Sequence, residues 1–104
     1  MNPETILTNA IRIALSPYGI VLRMQVGLFL TLDGRPVNTG IPGTPDLLFV
    51  GMDGRTVWIE VKTKRGALSK DQKRFIARLE LMGHRVGVAR SVEESLALIG
   101  ENKP

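Results

Sequence analysis

The chain has 104 residues, 43% of them hydrophobic, and we expect residues 1–104 to fold as one domain with a buried core. It has no cysteine, no signal peptide and no apolar run near the roughly 20 residues of a membrane span, which predicts a soluble cytoplasmic protein. One histidine and no cysteine exclude zinc sites and histidine-dependent triads.

Charge is distributed unevenly along the chain. Residues 1–61 carry four basic and five acidic side chains, whereas residues 62–104 carry ten basic and five acidic ones, and the net charge is +4. A basic segment of this kind is typical of proteins that bind a polyanion such as nucleic acid, and the alternative is a solvated helix face. The basic residues concentrated in this segment are Lys62, Lys64, Arg65, Lys70, Lys73 and Arg74.

The first predicted element is a helix over residues 3–16. Asn2 can serve as its N-cap, and Pro3 occupies the first helical position. The apolar residues that recur at helical spacing are Ile6, Ala10, Ile13 and Ala14.

Extended segments follow this helix. Residues 20–25 and 28–32 are predicted strands, and Gly27 between them is expected to be a kink or bulge. Asp33-Gly34 is a hairpin turn signal that returns the chain through residues 35–39.

Two carboxylates and an ammonium group converge on the next predicted hairpin, which has strands at 46–51 and 56–62. Asp46 and Glu60 are the candidate ligands of a hard divalent cation such as Mg²⁺, which prefers oxygen ligands, and the Val61 carbonyl can add a third oxygen. Lys62 would stabilise charge on a phosphate or help to deprotonate a water. The alternative is an exposed ion pair of Glu60 with Lys62, worth under about 1 kcal/mol.

Side-chain direction predicts how this hairpin is paired. Asp46 and Glu60 can hold one metal ion only if they share a sheet face, and directly opposed residues do so. Pairing 46 with 60 leaves Met52-Asp53-Gly54 as a three-residue turn, with Gly54 in the left-handed conformation. A two-residue turn would place Glu60 on the wrong face unless a bulge corrected it. On strand 56–62, Trp58 shares the face of Glu60 and could either stack on a base or lie in the core.

The last part of the chain is predicted to be helix, strand and helix. Ser69 is the N-cap of a helix over 70–82 that Gly83 ends, residues 85–90 form a strand, and Ser91 caps the last helix. A helix between two strands implies a crossover connection. The expected fold class is therefore α/β, a central mixed β-sheet flanked by helices in the order α-β-β-β-α-β-α. The expected buried stripe of the 70–82 helix is Phe75, Ile76, Leu79 and Met82.

Two further polar residues have alternative interpretations. Glu4 lies in the first turn of the first helix, where it could reach the metal or simply complement the helix dipole. Gln72 lies one turn into the 70–82 helix, where it could bond a phosphate or the attacking water, or face solvent.

These motifs together resemble the PD-(D/E)xK nucleases and, more narrowly, the virus-type replication-repair nuclease (VRR-NUC) domain. The segments that carry the resemblance are Gly43-Thr44-Pro45-Asp46, then Glu60-Val61-Lys62, then residues 66–72, with 23–27 and 83–91 as flanking segments. The resemblance implies a restriction-endonuclease-like fold and cleavage of DNA that depends on Mg²⁺ or Mn²⁺. The site residues that it implies are the metal ligands Asp46, Glu60, Val61 and Glu4, the catalytic lysine Lys62 and the helix glutamine Gln72.

The resemblance also implies a substrate and an assembly. Stand-alone members of the family, from phages and bacteria, are associated with homodimers that act on four-way (Holliday) junctions, so the expected location is the cytoplasm of a bacterial or phage-infected cell. We expect the dimer interface in the first helix and the 20–39 region, which contains Leu28, Phe29 and Leu30 in a row. The DNA-binding residues are expected to be Lys64, Arg65, Lys70 and Lys73. The rival interpretations are a non-catalytic DNA-binding module of the same fold and a restriction-type endonuclease.

Overall fold

A computed structural model describes residues 1–24 and 27–101. Residue 25 of the predicted 20–25 strand therefore lies outside the described residues. In chain order, the helices and strands are α1 (Pro3–Leu15), β1 (Gly19–Arg23), β2 (Gly27–Leu30), β3 (Pro36–Thr39), β4 (Leu47–Gly51), β5 (Thr56–Val61), α2 (Lys70–Leu81), β6 (Arg85–Ala89) and α3 (Val92–Leu98).

A mixed four-stranded sheet forms the centre of the fold, as predicted. Its strand order is β1-β4-β5-β6, in which the first two pairs are antiparallel and β5 runs parallel to β6. The helix α2 makes the crossover between the two parallel strands. Strands β2 and β3 form a separate antiparallel hairpin. When this hairpin is set aside, the order of elements is the α-β-β-β-α-β-α order expected from the sequence.

The register of β4 and β5 confirms the predicted turn. Leu47 pairs with Ile59, so the residues one step beyond the ladder, Asp46 and Glu60, oppose each other. The turn consists of residues 52–54, and the Gly51 amide donates to the Arg55 carbonyl at 2.7 Å. Gly54 has a φ of 74°, as expected, and Asp53 is also left-handed, with a φ of 60°.

The core lies on one face of the sheet. Alternate residues of β4 and β5 point to this face and pack against α1 and α3, whereas α2 covers the other face. The buried residues of this core are Ile11, Leu15, Leu47, Phe49, Val57, Ile59, Val61, Ala89 and Ile99.

The structure corrects the apolar stripes expected for two helices. On α1 the buried residues are Thr8, Ile11 and Leu15, whereas Ile6 and Ile13 are 55% and 73% exposed. Two apolar stripes share the helical period, and only packing against the sheet decides which one is buried. On α2 only Met82 departs from the expected stripe, because the helix ends at Leu81 and Met82 is its exposed C-cap. Leu79 is buried, and Phe75 and Ile76 are half-buried.

Side-chain caps set the starts of all three helices at the predicted residues. The Asn2 side chain accepts from the Thr5 amide, the Ser69 hydroxyl from the Gln72 amide and the Ser91 hydroxyl from the Glu94 amide. None of the helices in residues 1–24 and 27–101 has the length and apolar character of a transmembrane span.

Candidate active site

Asp46 is held by the strands on either side of it. Its side-chain Oδ2 accepts a hydrogen bond from the Val61 amide at 2.8 Å, and its backbone carbonyl accepts one from the Met24 amide at 2.8 Å. Pro45 before it is fully buried. The carboxylate is therefore fixed at the start of β4, next to the last residues of β5.

Glu60 is a buried carboxyl group with an unsatisfied oxygen. The residue is 1% exposed, and its Oε2 has no hydrogen-bond partner among the described residues. Burial raises the pKa of Glu60 to about 9, and the hydrogen bond to Asp46 and the charge of Asp46 act in the same direction. The two carboxyl groups thus meet, and one of them lacks a partner that a buried polar atom ordinarily has.

These residues fit a hard divalent cation. Mg²⁺ and Mn²⁺ prefer oxygen ligands, and Mg²⁺ in proteins is commonly bound by one or two carboxylates together with several waters. Asp46 and Glu60 supply two carboxylates, one of which has a free oxygen. Within the described part of the chain, no group of three or more aspartate, glutamate, histidine or cysteine side chains is placed to hold a metal ion. Backbone carbonyls and waters are the other oxygen ligands that Mg²⁺ commonly takes in proteins.

Glu4 faces the same cavity as Asp46. The cavity has a volume of about 370 Å³, and the charge of Glu4 contributes to the raised pKa of Glu60, although less than burial and Asp46 do. Glu4 as a direct metal ligand remains a prediction. The described residues that line this cavity are Glu4, Thr5, Thr8, Arg23, Met24, Phe29, Thr44 and Asp46.

Lys62 lies immediately after β5 and is half-buried. Its amide donates to the Ala89 carbonyl of β6 at 3.1 Å, so its backbone is fixed by the parallel pairing. Its positive charge acts to lower the pKa of Glu60, against the effects of burial and Asp46. The structure therefore brings an ammonium group within electrostatic reach of the carboxylate pair.

Gln72 has a structural role that the sequence analysis did not predict. Its Oε1 accepts from the Ser69 amide at 2.8 Å, while the Ser69 hydroxyl accepts from the Gln72 amide at 3.2 Å, which is a capping box. The pattern of a serine followed three residues later by a glutamine could have revealed it. A contact of Gln72 with DNA or water remains a prediction.

Gly43 joins the loop before Asp46 to the start of α2. Its φ is 90°, and a Cβ atom added there would clash with the Asp71 carbonyl and lie 2.9 Å from the Gln72 nitrogen. Only glycine allows this backbone approach, which explains the glycine of the Gly43-Thr44-Pro45-Asp46 segment.

Arg90 is a residue that the sequence analysis missed. Its Nη1 donates to the carbonyls of Thr63 at 2.7 Å and Gly66 at 2.6 Å, so the guanidinium group holds the basic loop that follows Lys62. The Glu94 side chain in turn accepts from the Arg90 amide at 2.8 Å. Because β5 and β6 are parallel, the residues that follow them lie side by side, and this pairing was the available signal.

The predicted DNA-binding side chains are all exposed. Lys64 and Arg65 lie in the loop, and Lys70 and Lys73 lie in the first turn of α2. Across residues 1–24 and 27–101, the one salt bridge joins Asp33 to Arg35 in the β2–β3 hairpin. The cations near the carboxylate pair are therefore not neutralised by acidic partners within the described part of the chain.

Trp58 packs between the sheet and α2. It is half-buried, and its ring lies 6.2 Å from that of Phe75 at an angle of 53°. The two rings line an apolar groove with Ile41, Arg78, Leu79 and Met82.

Comparisons with known proteins agree with this architecture. The family model described as the VRR-NUC domain matches residues 26–93, which is more than half of the chain. A solved structure titled "VRR_NUC domain" has a TM-score of 0.72 and 22% sequence identity, covering 99% of this chain and 100% of that chain. At this identity the structural match establishes the fold alone. A comparison with curated protein sequences finds no match.

The chain belongs to the VRR-NUC family. Membership of this family implies a nuclease-type function, and a nuclease domain in turn suggests binding to nucleic acid.

Proposed function

We propose that this protein is a metal-dependent, structure-selective DNA endonuclease that resolves branched DNA such as four-way junctions. The observation that carries the proposal is the buried Glu60 carboxyl, which meets Asp46 and has an oxygen without a partner in the described residues. A binding module has no need for two carboxyl groups in contact next to a lysine, since each buried charge costs free energy unless it is compensated.

Asp46 and Glu60 would hold Mg²⁺ or Mn²⁺, with the Val61 carbonyl as a further oxygen and Glu4 acting directly or through a water. When bound, such an ion supplies Lewis-acid polarisation of a phosphate and lowers the pKa of a coordinated water. The protein's own contribution is to fix the two carboxylates, because Asp46 is anchored to the Val61 amide and Glu60 is buried in the sheet.

Lys62 would act on the phosphate that is cut. Its ammonium group can stabilise the negative charge that develops on the phosphate oxygens or help to remove a proton from the attacking water. Gln72 would orient that water or a phosphate oxygen with its amide NH₂ group, since its Oε1 already accepts from Ser69.

The basic loop and the first turn of α2 would bind the DNA backbone. Lys64 and Arg65 lie two and three residues after Lys62, and Arg90 holds the backbone of their loop in place. Lys70 and Lys73 extend the same positive surface along α2. Contacts of this kind position DNA without reading its sequence, which suits a nuclease that recognises shape.

Resolution of a four-way junction needs two cuts related by symmetry, and we propose that a twofold homodimer supplies two such sites. The β2–β3 hairpin, α1 and β1 each carry exposed apolar side chains that a second copy would cover. Clusters of exposed apolar residues are typical of interaction surfaces. The exposed fractions are 62% for Ile20, 63% for Leu28, 69% for Leu30, 55% for Ile6 and 73% for Ile13.

Incubation of the purified protein with Mg²⁺ or Mn²⁺ and a panel of linear, flapped and four-way DNAs tests the proposal. We expect cleavage of the four-way DNA in preference to the linear duplex, and no cleavage when EDTA replaces the metal. Binding of all DNAs without cleavage in either metal would favour the non-catalytic module. Cleavage of linear DNA at one short sequence would favour a restriction-type enzyme.

A further inference from the structure

The cavity next to Asp46 has features that hydrolysis of a phosphate does not require. It lies between the first turns of α1, the end of β1 and the β2–β3 hairpin, and its volume is about 370 Å³. This volume is at the lower end of the range of small-molecule sites, roughly 300–1,000 Å³, and would hold one nucleotide. An aromatic ring, an arginine and several acceptor oxygens line it.

The only cation among the described residues that line the cavity is Arg23. Glu4 and Asp46 on the other walls would repel a phosphate, whereas a guanidinium group binds phosphate oxygens through two parallel hydrogen bonds. Arg23 is exposed at the end of the edge strand β1, and its neighbour Met24 donates to the Asp46 carbonyl. A phosphate bound by Arg23 would therefore lie close to the metal site without occupying it.

Two of the three threonine hydroxyl groups that line the cavity act as acceptors. The Thr8 hydroxyl donates to the Glu4 carbonyl at 2.8 Å and the Thr44 hydroxyl donates to the Ile41 carbonyl at 2.6 Å, so each has only lone pairs left to offer. Together with carboxylate oxygens they suit a ligand that carries N–H donors. The Watson–Crick edge of an unpaired base carries such donors.

Phe29 provides a flat apolar surface in the same cavity. It lies in β2 and is 50% exposed, whereas its neighbours Leu28 and Leu30 point to the opposite side of the strand. The hairpin can therefore present Phe29 to the cavity while Leu28 and Leu30 remain available for the dimer. The bases of single-stranded nucleic acid stack on aromatic side chains that face solvent beside a basic group.

We propose that this cavity binds one unpaired nucleotide of the DNA, next to the phosphate that is cut, with its base stacked on Phe29 and its phosphate bound by Arg23. The inference rests on the proposed nuclease function and deepens it. A paired base has both faces stacked and its Watson–Crick edge occupied, so only a nucleotide that is unpaired, in a gap, in a flap or opened at a branch point, can enter. The cavity would thereby contribute to the preference for branched over linear DNA.

The test measures binding to a linear duplex and to a flapped duplex in the Glu60→Gln background, which we expect to bind DNA without cutting it. Phe29→Leu should weaken binding to the flapped DNA by about fivefold or more and leave linear duplex binding unchanged. Phe29→Tyr keeps the ring and should keep the preference. Leu32→Ala, in the same hairpin and fully exposed, is the matched control. Equal affinities of Phe29→Leu and its parent for flapped DNA, or an equal loss on both DNAs, would overturn the proposal.

The phosphate contact is tested through its salt dependence. Arg23→Ala should lower the slope of log K against log salt for the flapped DNA by about 0.7, and Arg23→Lys should restore it. Arg35→Ala removes one positive charge from the hairpin, away from the cavity, and should leave the slope unchanged. Equal slopes for Arg23→Ala and its parent would refute the Arg23 contact.

Failure of the wild type to cut any DNA would refute the nuclease function and not the nucleotide site. The ratio of flapped to linear DNA affinity would still decide whether the cavity binds an unpaired nucleotide.

Discussion

The pairing of Asp46 with Glu60 follows from three local constraints. The turn at residues 52–54 sets the register of β4 and β5, and that register puts the two carboxylates opposite each other. The Val61 amide then fixes the Asp46 side chain, and the sheet buries Glu60. A carboxyl group buried in this way is unfavourable in the metal-free protein, which is why a cation is expected to stabilise the fold when it binds.

At the residue scale, Lys62→Ala separates catalysis from metal binding. We expect the cleavage rate to fall by roughly 10²-fold or more, as for the loss of one charge-stabilising group at a reacting centre. Binding of Mn²⁺ should persist in a calorimetric titration, because an ammonium group cannot be a metal ligand. Lys64→Ala, two residues further on, is the control and should cut at the wild-type rate at saturating DNA. Loss of Mn²⁺ binding in Lys62→Ala would contradict the assigned role.

At the element scale, the loop after β5 depends on a side chain that follows β6. Arg90 donates to the carbonyls of Thr63 and Gly66, and charged hydrogen bonds of this kind contribute about 1.5–3 kcal/mol each. Arg90→Gln should therefore increase the population of the open loop by about tenfold or more. Trypsin should cut after Lys64 or Arg65 correspondingly faster. Arg85→Gln at the other end of β6 is the control, and equal cutting rates for both variants and the wild type would exclude the clamp.

The basic segment makes a separate prediction at the same scale. Changing Lys64, Arg65 and Lys73 together to alanine should weaken binding to every DNA shape and reduce the log–log salt slope by about 0.9 for each phosphate that the variant no longer binds. The matched control removes three charges elsewhere, at Arg35, Arg78 and Arg85. An unchanged slope in the first variant would mean that the basic segment is only a solvated face.

The sequence predicted where the helices and strands lie better than it predicted which face of each helix is buried. The β4–β5 register was predictable because directly opposed residues share a face and the pairing of Asp46 with Glu60 leaves a three-residue turn that ends in glycine. The caps were predictable because serine and asparagine at helix starts have a local function. The buried face of α1 was not, since Ile6 and Ile13 have the same period as Ile11 and Leu15. The Arg90 clamp was missed because it depends on hydrogen bonds between residues 24 and 27 positions apart in the chain.

At the scale of the whole molecule, the exposed apolar hairpin predicts self-association. Light scattering at micromolar concentration should give twice the 11.4 kDa mass of the chain. Leu28→Asp should produce a monomer, because a carboxylate in an apolar interface is desolvated without a partner. Leu81→Asp is the control and should remain dimeric. The Leu81 side chain lies at the end of α2 and is 88% exposed. A monomeric wild type that still makes paired cuts in a four-way junction would require dimers that form only on DNA.

The central claim is that Asp46 and Glu60 form the metal site of a nuclease. Its most direct test is cleavage and binding of one labelled four-way DNA, in Mn²⁺, by the wild type, Asp46→Asn and Glu60→Gln in parallel. We predict that both variants bind the DNA as the wild type does and leave it intact, because the substituted groups act through the metal and not through the DNA contact. Cleavage by either variant above the level of a mock preparation would contradict the metal-site assignment.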